Sequence, residues 1–135
     1  MLKELAIKYY DKAYDYNCAE TIIHAADEAY NLNLSKETFK VLAPFGGGMG
    51  VEDICGALTG AAAVIGVMFT NDRGHESPKV RELTIRLVST FKDRLGTYNC
   101  RILKEKYKTE DKRCSVMIAV AAEALEEIIE EERNR

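Results

Sequence analysis

The sequence has no Cys-x-x-Cys pair. Its four cysteines, Cys18, Cys55, Cys100 and Cys114, stand far apart, so neither a zinc ribbon nor a thioredoxin-type motif is indicated. No apolar run reaches the roughly 20 residues a membrane-spanning helix needs. The longest, residues 54–69, reads as a core helix, and no membrane insertion is expected. No cluster of Lys and Arg supplies the basic footprint of a nucleic-acid binder, and the net charge of −3 points the same way. There is no N-terminal signal pattern, because Met1-Leu2-Lys3-Glu4 leads straight into a charged amphipathic segment; the cytoplasm is the expected location. The glycine loop at residues 46–50 is followed by no Gly-Lys-Ser/Thr and preceded by no strand, which excludes the two common phosphate-cradling motifs. No alternating pattern of useful length marks a β-strand.

What remains is a chain of 135 residues, 47% hydrophobic and 30% charged. This is the profile of one ordinary globular domain, 1–135, large enough to fold without disulfides or metal. Helical periodicity runs through nearly all of it, and predicts an all-α bundle of about six or seven helices. A first amphipathic helix is expected over residues 2–15, with Leu2, Ala6, Tyr9, Tyr10, Ala13 and Tyr14 on one stripe. Asn17 with Glu20 forms a capping-box pattern that starts a second helix at Cys18 and carries it to Tyr30. Ser35 caps a short third helix over residues 36–42, and Pro44 ends it.

From Gly56 onward the residues are small or apolar on every face, which predicts a central helix, about 54–69, surrounded by protein. Gly56, Gly60, Ala63 and Gly66 offer a face that another backbone can approach closely. Pro78 opens a long helix to Leu95, closed by Gly96. Tyr98-Asn99-Cys100 repeats the arrangement of Tyr16-Asn17-Cys18, so Asn99 is the expected cap of a helix beginning at Cys100. Asp111 is the expected cap of the last helix, with Cys114 in its first turn. Ile128 and Ile129 in its acidic tail suggest a subunit contact and a homodimer.

Each cysteine therefore falls in or next to the first turn of a different helix. Unpaired N–H groups and the positive end of the helix dipole favour a thiolate at such places. Four thiolates in one pocket repel one another unless something joins them. A thiolate-bound metal, an iron–sulfur cluster held by Cys18, Cys55, Cys100 and Cys114, or reversible disulfides would each meet that need. The spacing does not choose among the three.

These residues carry a resemblance. Cys55-Gly56-Ala57-Leu58-Thr59-Gly60, together with Asn17-Cys18-Ala19-Glu20, Phe45-Gly46-Gly47-Gly48-Met49-Gly50, Asn99-Cys100-Arg101 and Cys114, is similar to the pattern of the redox-active family labelled C_GCAxxG_C_C. The likeness spans residues 17–128. It implies that the four cysteines are the functional residues and supplies no substrate.

Among other candidates, Gly46, Gly47, Gly48, Gly50 and Gly56 are placed to shield a ligand or cluster with their N–H groups. Glu52 and Asp53 precede Cys55 and suit either proton transfer or helix capping. His24 lies on the side of its helix away from Cys18, and His75 sits in a polar surface loop. Arg101 stands beside Cys100, where it can support a thiolate, an anion or a salt bridge. Tyr16 and Tyr98 read as hydrophobic staples.

The expected function is redox chemistry at one cysteine pocket, as electron transfer or thiol–disulfide exchange with a redox partner or small molecule. The alternative is a helical module that binds a metal, cluster or small ligand without turnover.

Overall fold

Seven α-helices make up the chain, described over residues 1–135 by a computed structural model. They are α1 (Leu2–Tyr9), α2 (Cys18–Tyr30), α3 (Lys36–Val41), α4 (Gly56–Phe69), α5 (Pro78–Leu95), α6 (Cys100–Tyr107) and α7 (Ser115–Arg133). A 3-10 turn, Ala43–Phe45, and a wide turn, Gly48–Glu52, join α3 to α4. There is no sheet, and the fold is all-α as expected. No helix is long and apolar enough to cross a membrane.

The molecule is organised around α4. Its Gly56, Ala57, Leu58, Gly60, Ala61, Val64 and Ile65 are buried, and α2, α5 and α7 pack on it. The closest approach is to α2: a Cβ on Gly60 would lie 2.8 Å from the carbonyl oxygen of Ala19 and 2.9 Å from its Cα. Only hydrogen at that position lets the two backbones meet. Gly66, by contrast, faces open space and takes no part in the close packing. The helix begins at Gly56 rather than Ile54, because Ile54 pairs in a β-bridge with Asn99.

α1 crosses both α2 and α7, burying Leu2 and Ala6. It stops at Tyr9, well short of the expected Asp15. The Asp11 carboxylate accepts the Ala13 N–H at 2.9 Å, giving the backbone an alternative to the helical ladder, and Asp15 takes a positive φ of 58°. α2, α3 and α5 lie where the sequence places them to within a residue, with Gly96 left-handed at the end of α5.

Two expectations at the C-terminal end are corrected. Asp111 does not cap α7; a turn closed by the Arg113 N–H to the Thr109 carbonyl, 2.8 Å, intervenes, and Cys114 itself holds the cap position. Ile128 and Ile129 are 1% and 0% exposed within this one chain, so they fill its core and offer no subunit contact. The two buried polar residues are also accounted for: Thr21 donates to the Asn17 carbonyl, and Ser77 is bonded to Asn71 and Glu76.

Candidate functional site

Two of the cysteines are placed by asparagine caps. Asn17 accepts the Glu20 N–H at 2.9 Å while Glu20 accepts the Asn17 N–H at 2.9 Å, a complete capping box that fixes Cys18 as the first residue of α2. Asn99 accepts the Ile102 N–H at 3.0 Å and sets Cys100 in the same position on α6. The other two, Cys55 and Cys114, occupy the cap positions of α4 and α7.

Backbone contacts then gather the four. Around the Ile54–Asn99 bridge, the Cys55 N–H donates to the Tyr98 carbonyl at 2.9 Å and the Cys100 N–H to the Asp53 carbonyl at 2.5 Å, which fastens two cysteine segments to each other. Asn17 also donates through Nδ2 to the Ala43 carbonyl at 3.0 Å, tying the start of α2 to the 3-10 turn that precedes the glycine loop.

The glycines allow close approaches around the cysteines. A Cβ on Gly56 would come 3.3 Å from Cys18 Cβ and 2.9 Å from the Phe45 carbonyl oxygen, and one on Gly48 would come 2.9 Å from Cys100 Cβ. They let backbone pass directly over two cysteines. Gly46 presses on the Asn17 side chain, and Gly47 lines the cavity described below. A Cβ on Gly50 would meet nothing within 4 Å, and its φ of +75° serves the turn.

Cys18, Cys55, Cys100 and Cys114 all line one cavity of about 220 Å³, together with Tyr10, Tyr16, Asn17, Gly47, Gly56 and Met117. Three cations complete the wall: Lys104, Lys108 and Arg113. The sequence reading missed them, although residues 100, 104 and 108 follow the helical spacing that puts a cysteine and two lysines on one face. Arg101, which it singled out, is exposed and does not line the cavity.

Burial works against ionisation at these cysteines. It pushes Cys55 up to about 11, although the Ala57 and Leu58 N–H groups pull the other way, and it raises Cys100 against the opposing effect of Lys104. Cys18 is raised because its thiol hydrogen-bonds to Cys114 and because it is buried. Cys114 alone moves down, to about 6. The Cys18 hydrogen bond stabilises its thiolate, burial opposes, and Tyr10, Lys108 and Lys104 add to the lowering. The thiolate belongs on Cys114 rather than Cys18 because Cys114 is the less enclosed of the two and is the one the lysines act on.

Tyr10 is held for this task. Its hydroxyl oxygen accepts the Cys114 N–H at 3.3 Å, and its ring lies under the Arg113 guanidinium, 3.9 Å from centroid to carbon. Arg113 also donates to the Tyr10 carbonyl.

The remaining candidates lie outside this chemistry. His24 is stacked between Tyr16 and Phe39, 4.0 Å from each ring centre, and burial lowers its pKa; it belongs to an aromatic stack. Glu52 forms an ion pair with Lys104 at 2.7 Å, Asp53 contributes its carbonyl, and His75 is on the surface. All four cysteines are unpaired. No three Cys, His, Asp or Glu groups converge as a metal ion requires.

The sequence model of one family, described as "Putative redox-active protein (C_GCAxxG_C_C)", matches residues 16–128. Comparison with curated proteins gave no match, and comparison with solved structures gave none.

Proposed function

Since the chain belongs to the redox-active C_GCAxxG_C_C family, we propose that it performs thiol–disulfide exchange, with Cys114 as the attacking sulfur and Cys18 as the resolving one. The observation that carries this reading is that Cys18 and Cys114 line one cavity open to a small molecule, where their interaction favours the thiolate on Cys114. A thiolate with a pKa near ambient pH combines adequate ionisation with adequate nucleophilicity.

The Cys114 thiolate attacks one sulfur of a disulfide; the substrate S–S bond breaks, a mixed disulfide forms on Cys114, and the first thiolate leaves. Cys18 then gives up its proton and attacks the Cys114 sulfur. The mixed disulfide breaks, the second thiol leaves, and a Cys18–Cys114 disulfide remains. Two electrons have passed from the protein to the substrate, and an external dithiol of a reducing compartment returns them. Tyr10 positions the Cys114 sulfur, while Cys55 and Cys100, held as thiols by burial, wall the site.

The test is a Cys18→Ala variant incubated with a small disulfide. A stable mixed disulfide mapped to Cys114 is expected, whereas the unaltered protein should proceed to an internal disulfide between Cys18 and Cys114. Adducts on Cys55 or Cys100 instead, or no adduct at all, would sink the reading.

A further inference from the structure

The charged side chains in the wall of the Cys18–Cys114 cavity are all of one sign. Lys104, Lys108 and Arg113 line it, and no Asp or Glu does. Lys104 is shared with Glu52, and Arg113 is turned onto Tyr10. Lys108, exposed at the mouth, takes part in none of the molecule's ion pairs. The N-termini of α2, α4, α6 and α7 also meet at this cavity, so their dipoles add positive potential to that of the side chains. At about 220 Å³ the space lies below the roughly 300–1,000 Å³ of drug-sized pockets, which restricts the occupant to a small molecule.

Resting on the thiol-exchange reading above, we propose that the substrates are small disulfides bearing carboxylates, with Lys108 receiving a carboxylate while a substrate sulfur meets Cys114. The Cys114 thiolate displaces one carboxylate-bearing thiolate, which takes a proton from water. Cys18 displaces the second, which takes the proton that Cys18 gives up. The protein sulfurs are oxidised to a disulfide and the substrate is reduced to two thiols.

Three small disulfides of similar build and different charge test this: dithiodipropionate, which is anionic, hydroxyethyl disulfide, which is neutral, and cystamine, which is cationic. Rates of mixed-disulfide formation on Cys114 of the Cys18→Ala protein are read by mass spectrometry at a fixed pH and divided by the rates of the same reagents with mercaptoethanol. The anionic reagent should lead the neutral one by roughly fivefold or more at low salt, and the cationic one should be slowest. Salt should shrink the spread, and Lys108→Gln should bring the anionic-to-neutral ratio toward one. Any effect of that substitution on Cys114 ionisation cancels in the ratio, and an unchanged circular-dichroism melt shows that the variant is folded. Equal normalised rates, or a ratio that Lys108→Gln leaves unchanged, would overturn the charge selectivity and leave thiol exchange standing. A Cys114 inert to all three reagents would overturn thiol exchange and this inference with it.

Discussion

Cys114 shows how little a helix terminus decides by itself. Four cysteines share that setting, yet burial raises Cys55 and Cys100, the Cys114 hydrogen bond and burial raise Cys18, and a neighbouring thiol, a tyrosine hydroxyl and two lysines lower the fourth. The groups facing it come from α2 (Cys18), the residue after α1 (Tyr10), α6 (Lys104) and the residue that follows α6 (Lys108). Alkylation of Cys114 should therefore rise with pH to a plateau with a midpoint near 6, while Cys55 stays unreactive until strongly alkaline pH. Because the folded pKa is depressed from 9.0, the associated stabilisation is present above pH 9 and is lost as pH falls through about 6. Tyr10→Phe should move the midpoint up, and Cys18→Ala should move it further, since the Cys18 hydrogen bond is the largest single cause of the lowering. A midpoint in the unaltered protein at the ordinary thiol value, measured by pH-dependent iodoacetamide labelling, would remove the proposed nucleophile. The locations of Cys18 and Cys100 were legible from the asparagines before them. Their ionisation was not, since it depends on burial and on partners brought from distant parts of the chain.

At the scale of elements, two glycines of one helix make opposite predictions. Alanine is favoured over glycine in a helix interior by about 1 kcal/mol. At Gly60 that gain meets the Ala19 backbone, which cannot retreat, and overpacking of roughly 1–3 kcal/mol should leave Gly60→Ala net destabilised. At Gly66 the space is open, so Gly66→Ala should stabilise by up to about 1 kcal/mol. Denaturant melts of the two variants check both signs. Asn17→Ala should cost about 1 kcal/mol through loss of the capping box and should slow the resolving step by loosening Cys18. Most helices were readable from period and caps, including the ends of α2 and α5. The early end of α1 was hidden because Asp11 fits the polar face of the amphipathic pattern while its carboxylate captures a backbone N–H. Asp111 misled for the complementary reason: a suitable capping residue stood near the start of α7, and a turn closed by Arg113 came between them.

For the whole molecule, the exchange reaction and the fold are coupled. A disulfide between Cys18 and Cys114 closes a loop of roughly a hundred residues, for which chain entropy gives an upper figure of about 4–5 kcal/mol. Oxidised protein should melt at higher temperature than reduced protein, and a reductant should reverse the shift; no difference by calorimetry would argue against that pairing. Ile128→Ala should cost roughly 2–5 kcal/mol as a core truncation, an effect independent of protein concentration because the residue is buried within one chain. Tyr10, Cys18, Lys104 and Cys114 come from opposite ends and the middle of the sequence, so the acidic shift at Cys114 arises only after α1, α2, α6 and α7 have all docked. A thiol label applied near pH 6 thus counts finished molecules, and chains still lacking their last helix remain dark to it.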